Sequence, residues 1–315
     1  MKTVGCVIPC FKGNQITIDL IQKTLEIVDY VVLVDDNCPN RTGKKAKKFI
    51  FNKNFVLIEN KSNEGVGASF KRGVEYLLSI NCEIIIKIDA DGQMDPYLIP
   101  MFIDPLLKNE SDATKGNRFT SSEDILSMPL IRIIGNLGLS FFNKVSSGYW
   151  ELFDPTNGYI AFKGSTLKKI RLSKTNNRYF FESDLLFECS LSNIYFKQIP
   201  MKSTYLNELS SLKPLREITR FSRLHLINFI KRLVYQYFIL DFNVDSLHLI
   251  GFIISTILSL NYYFYIRYIS FKAGIDASPS QANLIAILII ISFQLLISFI
   301  FFDSTQKPLL RKIKD

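Results

Sequence analysis

Ile88-Asp89-Ala90-Asp91-Gly92-Gln93 closes the strand that opens with the apolar run Ile84-Ile85-Ile86. A strand ending in Asp-x-Asp presents both acids at the carboxyl edge of a sheet, where open α/β folds bind their ligands. Hard oxygen donors of this kind suit Mg²⁺ or Mn²⁺, ions that keep coordination positions for the phosphates of a substrate. The chemistry this predicts is a nucleoside diphosphate held through a divalent metal. Asp-x-Asp is also common in surface turns, so its weight depends on the elements around it.

Those elements alternate. Val4 to Pro9 is an apolar run closed by Pro9-Cys10-Phe11, Tyr30-Val31-Val32-Leu33-Val34 ends on Asp35-Asp36, and Phe55-Val56-Leu57-Ile58 is a third apolar strand. Between them, Ile16 to Val28 and Glu64 to Leu78 carry apolar residues at helical spacing. Alternating strands and helices predict a mostly parallel, Rossmann-like sheet covered on both faces. Gly65-Val66-Gly67 is not a dinucleotide fingerprint, which belongs after the first strand and needs a third glycine in register. These glycines are expected at the start of a helix packed beneath a nucleotide.

Ile8-Pro9-Cys10-Phe11, Asp35-Asp36, Asn63-Glu64-Gly65-Val66-Gly67, Asp89-Ala90-Asp91-Gly92-Gln93, Gly116-Asn117-Arg118 and Asp154-Pro155-Thr156-Asn157-Gly158 stand in an order that resembles family 2 inverting glycosyltransferases of GT-A fold. Within that family the chain is most similar to the polyprenyl-phosphate glycosyltransferase group, to which dolichyl-phosphate mannose synthase belongs. The resemblance implies that Asp91 contacts the metal, with Asp89 and Gln93 as helpers. It implies that Pro9, Cys10, Asp36 and Gly65 border the nucleotide sugar, UDP- or GDP-linked. Asp35 is open between that role and capping the following helix. Arg118, Arg132 and Asn136 fall where the lipid-phosphate members hold the acceptor phosphate, and arginine's planar fork suits that ligand. For Arg132 a solvated charge on a helix from Pro129 to Val145 is equally open. In Phe181-Glu182-Ser183-Asp184, Asp184 is the implied base or acceptor-orienting acid. A lipid phosphate is already ionised and needs little help as a nucleophile, whereas a sugar hydroxyl needs a positioned base. Tyr205 to Leu212 matches a late segment of bacterial relatives and places Glu208 and Ser210 near the substrate or in a cap. The chain departs from the family at Asn40, commonly an acid, and at Met94, often a histidine.

The 315 residues allow one catalytic domain and an appendage. The net charge of +9 comes without a nucleic-acid-binding motif and fits an anionic membrane surface and phosphorylated substrates. Five scattered cysteines, Cys6, Cys10, Cys38, Cys82 and Cys189, read as reduced thiols rather than a disulfide framework or zinc site. With only His225 and His248, a histidine-based triad is a poor fit.

The last quarter changes character. Leu247 to Ile266 and Ala282 to Phe302 are uncharged stretches of about 20 residues each, enough as helices to cross a hydrocarbon core of about 30 Å. His248 and Asn261 are polar within the first span and could bond Gln294 in the second. Pro214 to Phe238 places Leu215, Ile218, Leu226, Phe229, Ile230 and Leu233 on one helical face and Arg216, Arg220, Arg223 and Lys231 on another. That pattern fits a helix in the membrane interface, or one packed on the catalytic domain with a solvated basic face. Three segments are therefore expected: a catalytic domain over 1–212, an interfacial helical segment over 213–245, and a hairpin with a basic tail over 246–315. Met1 leads straight into the first strand, and basic residues precede the first span and follow the last at Lys307, Arg311, Lys312 and Lys314. Catalytic domain and both termini are thus expected on the cytoplasmic side of the plasma (inner) membrane, as a multi-pass protein. Apolar spans would also allow packing into a homo-oligomer. The activity implied is transfer of a sugar to a polyprenyl phosphate; transfer to a glycan hydroxyl and an inactive membrane scaffold are the alternatives.

Overall fold

The computed structural model describes residues 2–119, 130–202 and 214–305; side chains at 130–134, 136 and 214–218 lie outside that description. The segment 205–212, with Glu208 and Ser210, also falls outside it. Packing divides the chain into two compact units, one reaching Phe229 and one starting at Ile230.

The first unit opens with β1 (Val4–Cys10), α1 (Gln15–Leu25), β2 (Tyr30–Asp35), α2 (Thr42–Phe49), β3 (Phe55–Glu59), α3 (Val66–Ser79) and β4 (Ile84–Lys87). It continues through α4 (Ile99–Leu107), β5 (Ala113–Asn117), α5 (Leu130–Ser147), β6 (Ile160–Lys163), the short α6 (Gly164–Leu167), α7 (Phe181–Leu191) and β7 (Phe196–Pro200), and α8 (Pro214–Val234) follows. The seven strands form one sheet in the order β3-β2-β1-β4-β6-β5-β7. Among the described residues, only the pairings of β6, with β4 and β5, are antiparallel.

Strand alternation sorts the core into two layers. Cys6, Ile8, Val31, Leu33, Ile84 and Ile86 face α1 and α4, packing with Ile18, Ile21 and Phe102. Val7, Val32, Val34 and Ile85 face α3 and α7, packing with Phe70, Leu77, Phe181 and Leu185. Ile85 and Ile86 are fully buried, each a contribution of about 1.5–3 kcal/mol. Lys87 falls in register with Val7, on the α3 and α7 side, so a lysine enters the core at the end of β4.

The expected elements recur with ends shifted by a few residues, for reasons of capping. The first helix stops at Leu25 instead of Val28, and starts where Asn14 caps Ile16 N–H and forms a reciprocal box with Thr17. Asp35 bonds the N–H of Cys38 at 2.6 Å and of Gly43 at 2.8 Å, so it holds the start of α2, which favours the capping alternative.

In the second unit, α9 (Val244–Ala273) and α10 (Pro279–Thr305) pack on each other as a hairpin, and both are long and apolar enough to cross a membrane. Asn243 caps the start of α9, and Gly274, at φ +66°, ends it in the left-handed conformation. Ser292 bonds Ser255 across the pair at 2.8 Å. Asn261 donates to Ile257 O of its own turn, so the serines supply the interhelical bond anticipated from Asn261 and Gln294. The buried Arg232 forms a two-point pair with Asp303 at 2.6 and 2.9 Å, and Tyr237 Oη also donates to Asp303.

Candidate active site

The Asp-x-Asp follows β4 as anticipated, and a cavity of about 90 Å³ opens there, lined by Asp89, Asp91, Gln93, Arg118, Asn157 and Lys202 among others. Asp89, Asp91, Gln93 and Arg118, all expected at the site from the sequence, thus share one small polar chamber. Asp91 Oδ1 accepts the N–H of Gln93 at 2.9 Å, so Gln93 fixes this carboxylate through its backbone.

Beneath the chamber lies a group the sequence reading missed. Lys87, with a fully buried side chain, places Nζ 2.5 Å from Asp89 Oδ1, 3.4 Å from Glu182 Oε1 and 3.4 Å from Gly158 O. Burial pulls the Lys87 pKa down, but Asp89 and Glu182 together overcome it and the net direction is up. Burial raises the Glu182 pKa, and Lys87 opposes that only in part. Lys115, equally buried, donates to Asn157 O, and burial brings its pKa down to about 8 despite nearby Asp154 and Glu182. The available signal was a lysine inside each strand, Ile86-Lys87-Ile88 and Thr114-Lys115-Gly116, since a buried ammonium requires partners.

The loop 154–158 closes this network. Asp154 accepts Arg118 Nε at 2.7 Å and its terminal nitrogen at 2.9 Å, and Asn157 spans Asp154 Oδ2 and Tyr159 N–H. A Cβ on Gly158 would stand 2.5 Å from Lys87 Nζ and closer still to Asp89 Oδ2, so only glycine lets the loop lie on the acids.

Other predicted residues play identifiable local parts. Asp36 is buried and accepts Asn60 Nδ2 at 2.7 Å and the N–H groups of Glu64 and Gly65 at 2.9 and 2.8 Å, binding the β3–α3 turn to the end of β2. Pro9 and Cys10 end β1 beside Val34 and Asp35. Gly65 takes φ +103°, and the N–H groups of Gly67 and Ala68 both point to Asn177 O. The glycines therefore admit the backbone of 176–177, which a Cβ at either Gly65 or Gly67 would obstruct. Asp184 accepts Asn176 N–H at 2.8 Å and Asn228 Nδ2 at 2.7 Å; it ties α7 to α8 and is not among the residues lining the chamber. Arg132 and Asn136 occupy α5, but their side chains lie outside the described residues.

The donors available to a metal are carboxylate oxygens, chiefly Asp91, since Asp89 is already paired with Lys87. Among the described residues no group of three or more His, Cys, Asp or Glu converges on one point. This set fits a hard divalent ion that would draw its other ligands from a bound diphosphate and water.

Residues 6–171 match the profile of Glycosyl transferase family 2. An uncharacterized protein of Methanocaldococcus jannaschii is 29% identical over 68% of this chain and 86% of its own length. The UDP-N-acetylglucosamine–dolichyl-phosphate N-acetylglucosaminyltransferase of Methanococcus voltae is 25% identical over 65% and 86%. The dolichol-phosphate mannosyltransferase of Pyrococcus furiosus is 23% identical over 64% and 56%. Among solved structures, mannosyl-3-phosphoglycerate synthase from Rubrobacter xylanophilus superposes with TM-score 0.56 at 15% identity, covering 77% of each chain. Glucosyl-3-phosphoglycerate synthase from Mycobacterium tuberculosis, in complex with Mn²⁺, UDP and glucosyl-3-phosphoglycerate, superposes with TM-score 0.54 at 16% identity over 73% of this chain and 80% of that one. These structures share the GT-A fold. With more than half of its length matching the family profile, the chain belongs to glycosyl transferase family 2 and is a nucleotide-sugar-dependent glycosyltransferase.

Proposed function

We propose that the protein is a membrane-bound enzyme that transfers a sugar from a UDP- or GDP-linked donor to a polyprenyl phosphate, with inversion at the anomeric carbon. The relatives named for dolichyl-phosphate acceptors support this class of reaction, and the two membrane-long helices support a lipid acceptor. The observation that carries the choice of acceptor is the position of Asp184. Its carboxylate accepts from Asn176 and Asn228 and is not among the residues lining the chamber, which suits a structural tie better than a base taking a proton from an attacking hydroxyl. A phosphate nucleophile needs no such base.

In this reading the chain's own residues bind and orient. Asp91, fixed by the Gln93 N–H, would hold the metal, and bound Mg²⁺ or Mn²⁺ would supply Lewis-acid neutralisation of the departing diphosphate. Asp89, neutralised by Lys87, presents a fixed acceptor edge to the donor without adding net charge. Pro9, Cys10 and Gly65 border the nucleoside, and Asp36 contributes by holding the turn on which Gly65 stands. Arg118, oriented by Asp154, faces the chamber and receives the acceptor phosphate, together with Arg132 and Asn136 of α5. The catalytic unit and both termini lie on the cytoplasmic side.

The discriminating experiment offers the detergent-purified protein either undecaprenyl phosphate or the corresponding free polyprenol, with a panel of nucleotide sugars. Product from the phosphate alone is expected; equal product from the free alcohol would overturn the assignment of the acceptor.

A further inference from the structure

Cys10 and Cys38, both free thiols, bring their sulfurs together where the loops after β1 and β2 meet. Cys10 ends β1 opposite Asp35 of β2, and its carbonyl accepts the Asp36 N–H at 2.9 Å. Asp35 Oδ1 then turns the following loop back by accepting the Cys38 N–H. Both cysteines are buried, and the two thiols hydrogen-bond each other beside Gly13. A Cβ on Gly13 would stand 2.6 Å from Cys10 Sγ and 2.9 Å from the methyl of Thr42, whose hydroxyl lies 3.2 Å from Cys38 Sγ. Thr42 Oγ1 and Asn40 Nδ2 both donate to Gly13 O, at 2.8 and 3.0 Å, so the two loops are stitched together around the pair. Among the described residues no group of three or more His, Cys, Asp or Glu converges, which leaves two sulfurs short of a soft-metal site.

The two thiols differ in reactivity. Cys38 lines a cavity of about 360 Å³ together with Arg41, Lys44 and Glu59, which gives it an approach from solvent. Burial raises its pKa, but bonds from Thr42, Asn40 and Gly13 to the thiolate outweigh burial, and the net direction is down. Burial, with the Cys38 charge next, pushes the Cys10 thiol up to about 12. The thiols of Cys6, Cys82 and Cys189 are also raised by burial.

We infer that Cys10 and Cys38 form a reversible disulfide, made by exchange with a low-molecular-weight disulfide, that closes the nucleotide edge of the sheet. The Cys38 thiolate attacks one sulfur of the reagent and expels the other as a thiolate, leaving a mixed disulfide on Cys38. That step removes the negative charge that held the Cys10 proton, so Cys10 releases it to solvent and attacks Cys38 Sγ, and the second thiolate leaves. The chain gives up two electrons and two protons, and the reagent becomes two thiols. A disulfide sets its sulfurs about 2.05 Å apart, nearer than hydrogen-bonded thiols stand, so the bond draws the loop 36–42 onto β1. In the proposed function Pro9, Cys10 and Gly65 border the nucleoside and Asp36 holds Gly65; the effect on binding rests on that reading.

The test equilibrates the detergent-purified protein with oxidised glutathione, then alkylates it under denaturing conditions and digests it with trypsin. Free thiols should fall from five to three, and peptide 24–41 should be joined to peptide 3–12, with fragmentation placing the bond on Cys10 rather than Cys6. In Cys10→Ser the reagent should stay on Cys38 as a mixed disulfide, and in Cys38→Ser position 10 should take up none. Binding of UDP and GDP with Mn²⁺, measured on the same wild-type samples, should weaken at least about ten-fold on oxidation and return with dithiothreitol. Five free thiols after oxidation, or a mixed disulfide that persists on Cys38 of the wild type, would overturn the disulfide. A linked pair with unchanged nucleotide affinity would overturn its closing of the edge. Absence of nucleotide binding by the reduced protein would refute the proposed function instead, with the linked peptide still deciding the disulfide.

Discussion

Replacing Lys87 by methionine keeps the volume of the side chain but removes the ammonium that lies 2.5 Å from Asp89 and 3.4 Å from Glu182. At an effective dielectric of about 20, these separations correspond to attractions of roughly 7 and 5 kcal/mol, most of which offsets the desolvation of three charges. The cost of leaving buried partners unpaired is the better guide, about 3–5 kcal/mol. Asp89 keeps 32% of its side chain in contact with solvent, which places the expectation at the lower end, about 3 kcal/mol. For a unit of this size that is a fall of roughly 6–12 °C in unfolding temperature. Freed from Lys87, Asp89 should shift, and a displacement of about 1 Å in a donor-positioning group costs transfer on the order of 100-fold. Thermal unfolding in detergent and steady-state transfer would be measured for Lys87→Met and for Lys87→Met with Glu182→Gln. The second change removes one stranded carboxylate, so it should recover part of the stability and little of the rate. An unfolding temperature equal to the wild type for Lys87→Met, or a further loss on adding Glu182→Gln, would refute the idea that this lysine holds the two acids together.

Gly158→Ala forces a Cβ onto Lys87 and Asp89, and the resulting displacement of the loop should cut transfer by roughly 100-fold while circular dichroism stays near wild type. Arg118→Lys keeps the charge but loses the two-point hold of Asp154; KM for the lipid phosphate should rise by about ten-fold, with KM for the nucleotide sugar unchanged. Asp184→Asn should retain transfer within about ten-fold, because a phosphate acceptor needs no base, while weakening the tie to Asn228; loss of all transfer with donor binding intact would restore Asp184 as a base. Burial lowers the His225 pKa from 6.5 to about 4, so the unfolded chain binds protons that the folded chain refuses. Stability present above about pH 6.5 should therefore be lost progressively as pH falls towards 4, by up to about 3 kcal/mol, and thermal unfolding at the two limits should show a smaller acid loss for His225→Asn.

The sheet was legible because apolar runs such as Tyr30–Val34 and Ile84–Ile86 end in polar or glycine-rich turns, and the spans because their apolar stretches are continuous. What periodicity could not supply was partnership. It grouped Leu226 with Phe229 and Ile230 as an apolar face, yet the inward side of α8 carries His225 and Asn228, since the buried bonds to Ser146 and Asp184 decide which side packs. Motif spacing likewise identified acids without saying what they hold. Asp36 and Asp184 look alike as strand-end and helix-start carboxylates, and both bind backbone amides and asparagine side chains. Lys87 escaped notice because it reads as a break in an apolar run, and its partner Glu182 lies far along the chain.

The central claim is metal-dependent sugar transfer to a lipid phosphate at Asp91. The most direct test incubates purified protein, and Asp91→Ala beside it, with radiolabelled nucleotide sugars, undecaprenyl phosphate and either Mg²⁺ or Mn²⁺, and follows label into the lipid phase. Labelled glycolipid that requires the metal and disappears in the variant is the predicted result. Lipid labelling undiminished by Asp91→Ala or by chelation, or no lipid labelling with any donor that binds, would contradict the account.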